Sequence, residues 1–277
     1  MNTILVKNAD IVITMDSRQP KIHGGGLFVR DYVIEQIGIN DELPPVADQV
    51  IDATGMAIMP GLVNTHHHFF QSLFRALPGA QDHGLFDWLE CLFPIYGELT
   101  AEALRIGSLT AMAEMILSGC TTSSDHHYLY SNDSSLDIQV QAAKEIGLRF
   151  HATRGAMSLG KSHGGLPPDN LVQAEDEILD DCYRLIDSYH DPNPFSMLRI
   201  GIAPCTPFSV TKTLMRESAK LARSSKNVRL HTHVAETLDE ESFCLSEFNQ
   251  RPAKYMEELE WLGPDVWWAH SIFVNKD

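Results

Sequence analysis

The sequence has no CxxC pair, no apolar run of membrane-spanning length, and few cations, and each shortage narrows what the protein can be. The five cysteines (Cys91, Cys120, Cys182, Cys205 and Cys244) are an odd, scattered set. That excludes a zinc knuckle or a thioredoxin-type motif and fits reduced thiols in a cytosol better than a disulfide framework. Lys+Arg number 21 against 37 Asp+Glu, a formal charge of −16. So acidic a chain is a poor partner for nucleic acid or an anionic membrane. The start, MNTILVKNADIVITMD, alternates apolar and polar residues and lacks the apolar core and cleavage site of a signal peptide. No internal repeat or low-complexity tract stands out. The expectation is a cytoplasmic protein that takes a small-molecule partner, with homo-oligomer formation left open.

What is present begins with 277 residues, 44% of them hydrophobic, enough for a large core. Residues 1–58 hold short alternating segments, ILVKNADIVIT, GLFVRDYVIEQIG and QVIDATGMAIM, parted by Gly24-Gly25-Gly26 and Pro44-Pro45. Period-two alternation with turn breaks predicts antiparallel strands, part of a small β-sandwich. From residue 59 to 277 strands alternate with longer amphipathic helices. AIMPGLVNTHHH, CTTSSD, LRFHATRG, LRIGIAP, VRLHTHVAE and VWWAHSI read as six strands. The helices between them are expected over 100–119, with Thr100 as N-cap and Gly119 past its end, through IQVQAAKEIG to Gly147, and near 170–189, 211–224 and 239–261. Repeated strand–helix units build a parallel sheet with helices outside, and chemistry at successive strand ends favours an α/β barrel over an open sheet.

Thirteen histidines are the unusual count, and they cluster at strand ends. In His66-His67-His68, residues i and i+2 of a strand share a face, so His66 and His68 can both point inward while His67 points away. Two converging imidazoles make half of a metal site. For His67 packing or hydrogen bonding is the better reading. His231-Thr232-His233-Val234-Ala235-Glu236 offers a third imidazole from His233, and Glu236, three residues on, can carry a proton between water and a ring nitrogen. His231 shares the face of His233 and ranks below it, as a neighbour of the site. His270, in Ala269-His270-Ser271, closes the sixth strand, where a functional role outweighs a structural one.

The motifs PGLVNTHHHFFQSLFR, HTHVAET and WAHS resemble the amidohydrolase superfamily, in its cytosine/adenosine-type deaminase branch. The resemblance spans nearly the whole chain. It implies a (β/α)8 barrel, one zinc or iron(II) ion on His66, His68 and His233, Glu236 as proton shuttle, and His270 orienting the nucleophile or the substrate. HHHFFQ, SDHHY and APCTPFSV further resemble the 8-oxoguanine deaminase and triazine hydrolase group. By that resemblance Gln71 and Cys205 lie at the substrate ring, although an inert buried thiol is the alternative for Cys205. His126 and His127 end the second strand with functional and structural roles evenly balanced. Trp88 fits a core role better than a cover over an aromatic ligand.

The resulting expectation is hydrolytic deamination of 8-oxoguanine to urate and ammonia, with a triazine aminohydrolase as the enzymatic alternative. Only about six of eight strands are legible, and the superfamily's aspartate at the end of strand eight has no counterpart. Residues 1–277 alone are therefore expected to lack useful activity, and a non-catalytic fragment is the rival from another class.

Overall fold

A computed structural model describes residues 2–276, which divide into two compact units, 2–62 and 63–276. The first unit is one five-stranded sheet, β1 (Thr3–Ile13), β2 (Lys21–Arg30), β3 (Val33–Ile39), β4 (Gln49–Asp52) and β5 (Ala57–Ile58), in the order β3-β2-β1-β4 with β5 also on β1. The antiparallel expectation holds for β1, β2 and β3 and fails for the last two strands, which run parallel to β1. The reason lies in the register. Ile4 faces Gln49 and Ile11 faces Ala57, so β4 and β5 are one line of chain beside β1, broken at residues 53–56, where one extra residue is absorbed. Gly55, at φ 78°, makes that break in a conformation that suits glycine.

The second unit is built from β6 (Leu62–Asn64), α1 (Leu85–Tyr96), α2 (Ala101–Leu117), β7 (Cys120–His127), α3 (Leu136–Ile146), β8 (Arg149–Ala156), α4 (Glu175–Tyr189), β9 (Leu198–Pro204), α5 (Lys212–Ser224), β10 (Arg229–Val234), α6 (Leu238–Phe248), α7 (Pro252–Glu258) and β11 (Val266–His270). The six strands lie in sequence order in one sheet, and the pairings from β7 to β11 are parallel. This is the α/β architecture of a TIM-type barrel, with six strands among the described residues. Three of its helices, α2, α5 and α6, start at a threonine whose side chain caps them. The Thr100 hydroxyl accepts from Ala103 N–H, Thr211 from Leu214 N–H and Thr237 from Glu240 N–H. Helix α3 stops at Gly147, in the left-handed region at φ 82°. Helix α4 begins at Glu175, later than expected, because a short 3-10 turn occupies Asp169–Leu171.

Two apolar layers hold the helices to the sheet. Leu136, Val140, Met112, Phe150 and Ile200 pack behind β7–β9. Leu214, Met215, Leu230, Val234, Tyr255 and Trp261 pack behind β9 and β10, with the Trp261 indole N–H donating to Met215 O at 2.9 Å. Among the described residues no helix is long and apolar enough to cross a membrane.

Candidate active site

His66 and His68 are not on a strand. β6 ends at Asn64, and residues 65–68 continue as an irregular segment, which corrects the strand reading of AIMPGLVNTHHH. The segment is held in place by β7 instead. His126 N–H donates to His67 O at 2.8 Å, His68 Nδ1 lies 2.7 Å from His126 O, and Phe69 N–H donates to Asp125 Oδ1 at 2.5 Å. Asp125 also accepts from Gln139 Nε2 at 2.8 Å, and burial pushes its carboxyl up to about 7. The His66 and His68 rings still converge, with centroids 4.8 Å apart, while the His67 ring packs on Phe69.

Strand β10 places His231 and His233 on its inner face, and the chain reverses at Ala235, which has φ 53°. The two N–H groups exposed by that reversal, on Ala235 and Glu236, donate to the carboxylate of Glu240 at 2.9 and 2.8 Å. Glu236 is thereby aimed across the site. Its carboxyl is pushed up to about 7, first by burial and then by the like charge of Glu240, so it exchanges a proton near neutrality. His270 ends β11 at φ 72°, stacks on His233, and brings Nε2 to 3.4 Å from Glu236 Oε1. Burial lowers the affinity of the His270 ring for a second proton.

The donor set suits a cation. A carbonyl oxygen only accepts, so the contact of His68 Nδ1 with His126 O places the His68 proton on Nδ1. The 2.7 Å contact of His233 Nδ1 with Cys205 O does the same for His233. Both Nε2 atoms are then lone pairs, yet they face each other at 3.1 Å. Burial pushes both rings well below the usual histidine range, so no extra proton bridges them. Two facing acceptors repel, and a divalent cation beside them turns that repulsion into ligation. The His66 ring centroid lies 4.8 Å from that of His233. Ring nitrogens of His66, His233 and His270 lie within 4.8 Å of one another, as do those of His68, His126 and His233.

Beside the histidines lies a cavity of about 280 Å³. Gln71 and Cys205 both line it, as do Trp88, Tyr128, Phe208 and Glu236. Gln71 Nε2 donates to Tyr128 OH at 3.3 Å. The Cys205 thiol is raised by burial and stays protonated. Trp88 is therefore on the cavity wall as well as partly in the apolar cluster behind it. Of the second-strand pair, His126 faces the other imidazoles, at 4.5 Å from His233, with Nε2 on Ala203 O. His127 turns to Tyr130 and Phe70 instead. Asp125 and Glu240 were not singled out by sequence reasoning. Thr237-Leu238-Asp239-Glu240 has the capping-box spacing that would have drawn attention to Glu240, although its carboxylate reaches past the cap to Ala235 and Glu236.

The sequence profile of the amidohydrolase family matches residues 57–277. The chain is 46% identical over 257 residues to the 8-oxoguanine deaminase of Pseudomonas aeruginosa, covering 91% of this chain and 57% of that protein. It is 35% identical over 286 residues to hydroxydechloroatrazine ethylaminohydrolase of Pseudomonas sp. strain ADP, covering 98% and 58%. Among solved structures it matches an atrazine chlorohydrolase from Arthrobacter aurescens TC1, complexed with zinc, at TM-score 0.92 and 31% identity, covering 98% of this chain and 61% of that one. The chain thus spans a little under three-fifths of the length of these curated relatives.

Proposed function

The chain belongs to the amidohydrolase family, and on that premise we propose that it carries the metal ligands and proton shuttle of a hydrolytic deaminase acting on 8-oxoguanine. The observation that supports this most is the pair of facing Nε2 lone pairs of His68 and His233, 3.1 Å apart, with Glu236 on the wall of the adjoining cavity. His66, His68 and His233 would hold one zinc or iron(II) ion, both of which accept imidazole donors. A metal bound there would supply the Lewis acidity that makes water a nucleophile near neutral pH.

The chain's own groups would supply proton transfer and substrate contacts. Glu236 takes a proton from the attacking water and delivers it to the ring nitrogen beside the amino-bearing carbon. A C–O bond forms, the C–N bond to the amino group breaks, and ammonia leaves, so 8-oxoguanine and water yield urate and ammonia. His270, whose Nε2 lies 3.4 Å from Glu236 Oε1, orients that carboxylate and the incoming oxygen. Gln71, which donates one amide hydrogen to Tyr128, offers its amide oxygen and second amide hydrogen to the edge of the ring. Trp88 and Phe208 cover a flat heterocycle, and Cys205, as a neutral thiol, fills the floor.

The choice of 8-oxoguanine rests on the 46% identity to the deaminase of that substrate. A hydroxytriazine is the second reading, supported by the 35% identical ethylaminohydrolase. Ammonia release by the full-length, metal-loaded protein across purines, pyrimidines and aminotriazines decides between them. 8-Oxoguanine is expected to lead adenosine and cytosine by a wide margin, because a ring of the wrong pattern leaves buried polar groups unpaired. A hydroxytriazine turned over faster than 8-oxoguanine would replace this reading with the second. Elemental analysis is expected to find about one zinc or iron per chain, and the His66→Ala/His68→Ala double variant is expected to contain none.

A further inference from the structure

His231 and Trp267 form a unit that the proposed chemistry leaves without a role. The His231 ring is fully buried and lies flat on the Trp267 indole, with centroids 4.3 Å apart and planes inclined by 13°. Its Nδ1 is 2.9 Å from Trp267 O, and its Nε2 is 2.9 Å from His66 Nδ1. Trp267 also donates its indole N–H to the carbonyl of Thr65, the residue before His66, at 3.1 Å. The register of the two strands, which pairs His231 with Trp267, builds this arrangement.

Proton placement then follows from acceptor chemistry. The Trp267 carbonyl can only accept, so His231 carries its proton on Nδ1 and presents a lone pair at Nε2. A second proton on His231 would leave a buried cation among imidazoles and an indole, none of which bears a compensating charge. His66 must therefore donate from Nδ1, which leaves its Nε2 as a lone pair. We propose that His231, seated on Trp267, is a positioning residue that locks His66 in the Nδ1–H tautomer and so keeps His66 Nε2 available to the metal. The inference rests on the reading of His66 as a ligand and adds the device that prepares it. His68 and His233 are fixed by backbone carbonyls, whereas His66 is fixed by a side chain. It is thus the one ligand of the three whose tautomer a substitution elsewhere can release.

The test uses full-length protein, stripped of metal with a chelator, as wild type, His231→Phe and His231→Gln. Phenylalanine keeps a flat ring against Trp267 and offers no acceptor, whereas glutamine restores an amide oxygen that can accept from His66. Long-range 1H–15N spectra of the metal-free wild type are expected to show His66 as the Nδ1–H tautomer. In His231→Phe that preference is expected to be lost, and zinc affinity, measured by competition with a chromophoric chelator, to fall roughly 10–100-fold, as for other groups that orient metal-binding histidines. His231→Gln should recover most of both. An Nε2–H tautomer of His66 in the wild type, or unchanged zinc affinity and tautomer in His231→Phe, would overturn the inference while leaving the metal site standing. Full zinc content in His66→Ala would instead remove the reading on which the inference depends. If His231→Phe does not fold, the wild-type tautomer and the affinity of His231→Gln, unaltered or lowered beyond about 100-fold, still decide support or refutation.

Discussion

The two faces of β10 are built on different physical terms. Outward, Leu230 and Val234 are fully buried against Leu214, Met215 and Trp261, a layer held by area removed from water and by close packing. Inward, His231 and His233 are just as hidden, yet each of their nitrogens has a definite partner or a lone pair aimed at the site. The outer face tolerates any apolar side chain of similar volume at modest cost. The inner face tolerates little, because its hydrogen bonds define which atom carries each proton. Substitution outside should therefore cost stability, and substitution inside should cost function.

That contrast is most open to challenge at Glu236. Glu236→Gln keeps the shape and removes the proton shuttle, so turnover is expected to fall about 10²–10⁴-fold, with little change in the urea midpoint. A loss of stability without loss of rate would break the distinction. Leu230→Ala is the converse case. It should destabilise the fold by roughly 2–5 kcal/mol in chemical denaturation, with metal content per folded molecule unchanged. If metal is lost first, the two faces are not independent.

Glu240 sits between the two regimes, and Glu240→Gln should register in both. One of the two backbone donors on Ala235 and Glu236 then meets an amide N–H₂ instead of an acceptor, a cost of about 1–3 kcal/mol. Removing the Glu240 charge also removes one of the two causes that raise Glu236. The Glu236 carboxyl must then ionise at lower pH, so the acid limb of the kcat/KM profile is expected to move to lower pH. A shift upward, or none, would show that Glu236 does not govern that limb. The smallest effect is expected at a helix cap outside both faces. Thr100→Ala removes the hydroxyl that accepts from Ala103 N–H and should cost about 1 kcal/mol in thermal unfolding, with turnover unaffected.

Much of the barrel unit was legible because its signals are local. Helix α2 runs from its Thr100 cap to the turn ahead of Gly119, and α3 stops at Gly147, as spacing and cap residues predict. Strand ends were harder to place. His66-His67-His68 continues an apolar run and so reads as strand, but sheet pairing ends at Asn64, and β7 holds the rest through Asp125 and His126. The inward aim of His66 and His68 was anticipated, for a reason that had to be replaced. In the first unit the alternation of QVIDATGMAIM marked a strand but not its direction. Period two is the same for parallel and antiparallel neighbours, and only the pairing with β1 decides.

By itself the sequence determined the alternation of strands and helices, the caps that bound the helices, and the clustering of histidines with Glu236 at strand ends. These depend on residue types a few positions apart, which fix backbone preference and side-chain period. Only the tertiary structure decided what those histidines can do. The carbonyl that sets the proton on His68 belongs to His126, the one for His233 to Cys205, and the one for His231 to Trp267. Each acceptor lies on another strand or just past the end of one, 28 to 58 residues away in the chain. An imidazole's lone pair points wherever its neighbour does not accept a proton, and which neighbour that is depends on how the sheet curls and in what register its strands meet.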